Sequence, residues 1–194
     1  VKYSLNSNYQ FQFEYQKLNS LPNLNYSLNQ SSYIDYNWYK NFKNEKLNQF
    51  SFAALTKWVN ASVQYKVLND HLYFDNTTNN IAKLTVKPMQ YDNTINYLSI
   101  NANKEFKFWK FGLDITFLYQ NVDQADPIVN VPEFTTRNTL YFSDHVFNKA
   151  MLLQTGVTFQ YFTEYYGNDY NPLIGEFYVQ NETKIGNFPM FDFF

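Results

Sequence analysis

The residues best able to bind a metal or move a proton near neutral pH are the two histidines, His71 and His145. His71 follows Asp70, and His145 follows Asp144. Neither sits in an HxH or HExxH spacing, and the chain has no cysteine to complete a thiolate site. Both read as turn histidines. No GxSxG, P-loop or GxGxxG segment occurs. The carboxylates are scattered, so spacing singles out no acid/base pair of the glycosidase kind. Asp123, Asp126 and Asp169 fall in loop-like stretches without EF-hand order and read as solvated loop residues. The Asn-x-Ser/Thr triplets are expected by chance in so asparagine-rich a chain. No catalytic residue, metal ligand or cofactor is therefore expected.

Arg137, the one arginine, is different in kind. It falls in the middle of a strand-like segment, on the side that carries Thr135, Thr139 and Tyr141. Glu14, Asp35, Lys66, Asp114 and Glu176 also fall on the polar sides of their segments, as do Gln64, Gln120 and Gln160. These charges can set the electrostatics of a hydrated lumen. Equally, they can fill or salt-bridge an interior that conducts nothing.

The elements that carry them alternate with period 2 almost throughout, and aromatic and β-branched residues dominate. In 7–18, Tyr9, Phe11, Phe13 and Tyr15 alternate with Gln10, Gln12, Glu14 and Gln16. Segment 23–39 carries Leu24, Tyr26, Leu28, Ile34, Tyr36 and Trp38 at even positions. Phe50, Phe52 and Ala54 mark a third strand, and Ala61, Val63, Tyr65 and Val67 a fourth, after a tight turn near Lys57-Trp58. Further strands are expected at 94–104, 111–120, 133–143, 151–161 and 172–180, with a tenth opening at Asn187. Residues 105–110 read as a basic-aromatic turn, and 75–80 as a loop. Longer connections follow every second strand, and short turns follow the others. About ten meandering strands of roughly 9–11 residues, with loops long on one side and tight on the other, describe an up-and-down transmembrane β-barrel.

Composition bears on which solvent the apolar side meets. Of the 194 residues, 21% are aromatic and 16% charged, below the roughly 25% charged that soluble domains average. The formal net charge is −2, which argues against a nucleic-acid partner. No apolar run approaches the roughly 20 residues of a membrane-spanning helix. A side built of Gln, Asn, Ser and Thr suits a hydrated lumen, and aromatics near strand ends suit the two membrane interfaces. The competing reading is a soluble β-sandwich or jelly roll, binding glycans through exposed Tyr and Trp.

Several stretches resemble the Putative porin family of outer-membrane proteins of Bacteroidota. They are Tyr33-Ile34-Asp35-Tyr36-Asn37-Trp38, then Tyr170-Asn171-Pro172 with Gly175-Glu176-Phe177-Tyr178-Val179-Gln180, and Ile185-Gly186-Asn187-Phe188-Pro189 running into Asp192-Phe193-Phe194. The resemblance extends from about Tyr9 onward. It implies a β-barrel in the bacterial outer membrane, reached after removal of a signal peptide, and a pore role, but supplies no catalytic residues. It also implies that residues 1–194 form a single barrel domain that is a fragment of a larger barrel, its C-terminal part, cut at both ends. The expected function is passive diffusion of small hydrophilic solutes. The alternative is a non-conducting structural or docking barrel. Expected partners are outer-membrane lipid, other outer-membrane proteins and the barrel-assembly machinery.

Overall fold

The structure, a computed structural model, describes residues 1–6, 9–78 and 84–194. Ser7, the expected start of the first strand, and Asn79 and Asn80 of the expected loop lie outside these residues. Nine strands form one antiparallel sheet. They are β1 (Lys2–Asn6), β2 (Tyr9–Ser20), β3 (Glu45–Thr56), β4 (Asn60–Asn69), β5 (Ile95–Phe108), β6 (Phe111–Asp123), β7 (Phe134–Val146), β8 (Met151–Phe162) and β9 (Met190–Phe193). Each strand pairs with the next in chain order, which is an up-and-down meander. From β2 to β8 the strands run 10–14 residues, long enough to cross a bilayer at a tilt. Among the described residues no pairing joins β1 to β9, so the sheet is open and does not itself close into a barrel.

The connections alternate in length. At one end are tight turns. Residues 57–59 are held by the Thr56 hydroxyl, which accepts from the Trp58 and Val59 amides at 3.2 and 3.0 Å. Trp109 and Lys110 make a two-residue hairpin turn, with Trp109 at φ 54°, a left-handed region that β-hairpins require and that asparagine or glycine more often supplies. Residues 147–150 form the third. Trp58, Trp109 and Phe147 stand exposed at these tips. At the opposite end lie the long connections 21–44, 70–94, 124–133 and 163–189.

Two expected strands are instead parts of these long connections. Residues 23–39 fold as a one-turn helix (Leu24–Ser27), a two-residue strand (Leu28–Asn29), a 3₁₀ turn (Ile34–Tyr36) and a second short strand, Trp38–Tyr39, paired with the first. Residues 172–180 open on a turn closed by Gly175 N donating to Asn171 O at 2.9 Å, followed by Glu176–Tyr178 pairing with Asp169–Asn171. Gly175 has φ +70°, a conformation that ends extended chain. In return, Lys2–Asn6 is a strand outside the segments expected from the sequence, although Val1, Tyr3 and Leu5 alternate there with Lys2, Ser4 and Asn6, and β5 runs on to Phe108 through the residues expected to turn.

The buried apolar residues lie in the long connections and under them. Tyr36, Trp38, Phe74, Val86 and Tyr178 form one cluster, and Tyr91, Ile95, Ile128 and Val179 a second. Hydrogen bonds tie the loops together. Tyr36 Oη donates to Leu84 O (2.9 Å) and accepts from Asn171 Nδ2 (3.2 Å), and Trp38 Nε1 donates to Asn25 O (3.1 Å). The long connections thus make a folded cap at one end of the sheet.

Candidate functional site

Side chains of directly paired residues in a sheet project from the same face, so register sorts every strand residue. One face carries Phe11, Phe13 and Tyr15 of β2, then Phe50 and Phe52 of β3 and Val63 and Tyr65 of β4. It continues through Leu98 and Ile100 of β5 and Leu113, Ile115 and Phe117 of β6. Leu140 and Phe142 of β7, Val157 and Phe159 of β8, and Phe191 and Phe193 of β9 complete it. Many of these side chains are open to solvent, with Phe52 46%, Phe106 49% and Phe191 58% exposed. Thr136 and Asn138 interrupt the face. Asn138 Nδ2 donates to Thr136 Oγ1 at 2.9 Å, and Thr136 Oγ1 donates to Thr116 O at 3.0 Å, so their polar groups are satisfied locally.

The other face is polar across the sheet. One row of paired residues reads Glu14, Ser51, Gln64, Ser99 and Gln120. A second reads Asn60, Asn103, Thr116, Arg137 and Gln160. A third reads Glu105, Asp114, Thr139, Thr158 and Asp192. Seven of the nine residues singled out from the sequence therefore share this face: Glu14, Gln64, Lys66, Asp114, Gln120, Arg137 and Gln160. Asp35 and Glu176 do not lie on it. Asp35 falls in the 3₁₀ turn Ile34–Tyr36, and Glu176 in the cap, where its Oε1 accepts from Asn25 Nδ2 at 2.6 Å.

Recesses open on the polar face toward both ends of the sheet. One, of about 530 Å³, lies toward the tight turns between Glu105, Asp114, Asp192 and Arg137. Tyr141 Oη donates to Glu105 there at 2.5 Å, and Gln160 Nε2 donates to Asp192 at 2.8 Å. Another, of about 470 Å³, lies under the cap and is lined by Lys66, Tyr97, Tyr73, Phe74, Phe177 and others. Sequence reasoning missed Glu105 and Lys107, because the basic-aromatic stretch reads as a turn. It also missed Tyr97, whose ring reads as apolar although its position has polar-face parity.

The candidate metal-binding side chains are dispersed or already engaged. His71 Nδ1 lies 2.8 Å from Glu45 Oε1, which also accepts from the Leu72 amide. Asp169 accepts from Tyr178 Oη at 2.9 Å. Among the described residues no three His, Asp or Glu side chains gather as a metal centre would need. In the cap, burial pushes the Tyr178 phenol up to about 12, and the hydrogen bond to Asp169 adds to it. Burial likewise raises Asp75 above the usual carboxylate range.

Two-faced strands, with solvent-open aromatics on one side and a polar surface carrying scattered charges on the other, agree with the match of a family model. The model described as Putative porin matches residues 1–194. The chain belongs to the Putative porin family. No curated protein matches the chain. Seven of the nine residues singled out from the sequence lie on the polar face of this porin-family chain.

Proposed function

We propose that this porin-family chain forms wall of a β-barrel in the bacterial outer membrane, with the apolar face on lipid and the polar face on a water-filled lumen. Small hydrophilic solutes pass along that lumen by diffusion. The observation that carries the reading is the sorting of side chains by register. A series of large apolar residues on one face, interrupted at Lys104, Thr136 and Asn138 and in many places solvent-open, is costly in water and favourable in a bilayer. The charges on the other face are each costly in lipid, by roughly 2–4 kcal/mol for Arg or Lys at mid-depth. Trp58, Trp109 and Phe147 at the turn tips suit a membrane interface. In a bilayer the open edges of β1 and β9 must be paired, because unsatisfied backbone groups are not tolerated in hydrocarbon. Outer-membrane lipid and the barrel-assembly machinery are then its natural partners.

The cap favours a second reading, a barrel with a closed lumen that serves as a structural or docking member of an outer-membrane assembly. Loop residues pack onto Leu68, Ile95 and Val122, which all have polar-face parity at the loop end. Single-channel recording in planar bilayers separates the two. Discrete, ohmic conductance steps from inserted protein support the pore, and correctly inserted protein without conductance supports the closed barrel.

A further inference from the structure

Lys66 projects from the polar face into the recess beneath the cap. It is half-buried, and among the described residues no carboxylate pairs with it. Its ammonium is held over the ring of Tyr97, 5.3 Å from the centroid. That ring is itself fixed. Tyr97 Oη donates to Gln120 Oε1 at 2.6 Å, and Gln120 Nε2 donates to Pro132 O at 2.9 Å, on the 124–133 connection. The chain of contacts from Pro132 through Gln120 and Tyr97 positions a cation that no carboxylate pairs with among the described residues.

The rest of the lining matches one kind of ligand. Among the described residues no Asp or Glu lines the recess itself, and the nearby Glu45 and Glu176 are engaged by His71 and Asn25. His71 does, but its Nδ1 is turned to Glu45. Aromatic walls come from Tyr26, Tyr73, Phe74 and Phe177, and amide groups from Asn130 and Asn168. A partly desolvated cation gains from an anion placed against it. Flat apolar walls gain from an apolar body, and about 470 Å³ lies within the usual range of small-molecule sites. We infer that this recess binds a small organic carboxylate with a flat apolar body, the carboxylate on Lys66 and the body against Tyr97 and the aromatic walls.

The inference goes beyond solute diffusion and does not depend on conductance. Its test is isothermal titration calorimetry of the full chain folded in detergent micelles, with sodium benzoate as probe. Benzyl alcohol and benzylamine serve as neutral and cationic ligands of the same shape. Saturable one-to-one binding of benzoate is expected, with both analogues weaker by at least about tenfold. Lys66→Gln loses the binding by a similar factor, Lys66→Arg keeps it, and Lys107→Gln, on the same face near the turns, leaves it unchanged. Should Lys66→Gln fail to fold, Tyr97→Phe, which keeps the ring but frees it from Gln120, is expected to weaken benzoate binding several-fold. Absence of saturable binding, equal binding of benzyl alcohol, or full binding by folded Lys66→Gln overturns the inference. Channels that conduct without binding benzoate overturn it alone and leave the porin reading in place.

Discussion

Phe117 and Gln120 lie three residues apart on β6 and project from opposite faces of the sheet. Phe117 pairs with Ala102 and is 43% exposed, whereas Gln120 pairs with Ser99 and is buried beneath the 124–133 connection. The strand therefore presents an exposed apolar side chain and a buried polar one on opposite faces within four residues. Phe117→Lys is expected to cost about 2–4 kcal/mol of folding free energy in a bilayer, by placing a charge on the lipid side. Gln64→Lys, on the polar face, is expected to cost less than about 0.5 kcal/mol. Urea titration of the protein folded into phospholipid vesicles measures both, and equal losses would contradict the assigned faces. Gln120 would be a poor control, because its amide is bonded at both ends.

Gly156 on β8 leaves no room for a side chain. A Cβ there would stand 2.5 Å from the Leu140 carbonyl oxygen and 2.9 Å from Tyr141 Cα, both backbone atoms. At Gly112 the obstacle is the movable Tyr141 ring. Gly156→Ala is expected to destabilise the sheet by about 1–3 kcal/mol, and more than Gly112→Ala does. Denaturant unfolding of the two variants in micelles ranks them, and the reverse order would show that the β7–β8 pairing tolerates displacement.

Period-2 alternation is a local property, and it made the long strands legible because there it coincides with the tertiary pairing. In β6, Phe111, Leu113, Ile115 and Phe117 need only be read in order to place Asp114 and Thr116 on the opposite face. The same alternation misleads at 23–39. Tyr36 and Trp38 are held there by long-range partners, the Leu84 carbonyl and the cap's aromatic cluster, and no neighbouring strand of the sheet pairs with them. At 172–180, Gly175 turns the chain where alternation suggests extension. The seven polar-face residues were legible by parity alone. The two recesses were not, because each depends on groups that sequence cannot bring together: Glu105 and Asp192 around Arg137 in one, and the cap aromatics around Lys66 in the other. The Lys2–Asn6 strand carries the same alternation, with Val1, Tyr3 and Leu5 against Lys2, Ser4 and Asn6, and was legible although it is not among the expected strands.

The cap responds to alkali through Tyr178. Its phenol ionises near 10 in the unfolded chain and is pushed up to about 12 in the folded one. Between these values the unfolded state has given up the proton and the folded state has not, so unfolding becomes more favourable as pH rises. The stability in question is present in full below pH 10 and is lost as pH rises through about 12, amounting to roughly 2–3 kcal/mol. Tyr178→Phe is expected to flatten this part of the profile. Unfolding of the cap followed by near-ultraviolet circular dichroism against pH tests it, and an unchanged profile in the variant would assign the effect to other groups.

Arg137 is the one cation lining a recess that also holds Glu105, Asp114 and Asp192. Arg137→Gln leaves that recess wholly acidic, and Arg137→Glu makes it more so. In a conducting channel, both are expected to move the reversal potential in a KCl gradient toward potassium, the second further than the first. An unchanged potential in both would place the permeation path away from this part of the polar face.

The most direct measurement of which solvent each face meets uses the absence of native cysteine. Single cysteines at positions 113 to 119 of β6, in protein inserted into vesicles containing brominated lipid, can be treated with a small water-soluble maleimide. They can also be tagged separately with an environment-sensitive fluorophore. The account predicts period 2: positions 114, 116 and 118 react with the maleimide, whereas 113, 115, 117 and 119 are protected and show quenching by the brominated chains. Equal reactivity along the strand, or lipid quenching at the even positions, would contradict it.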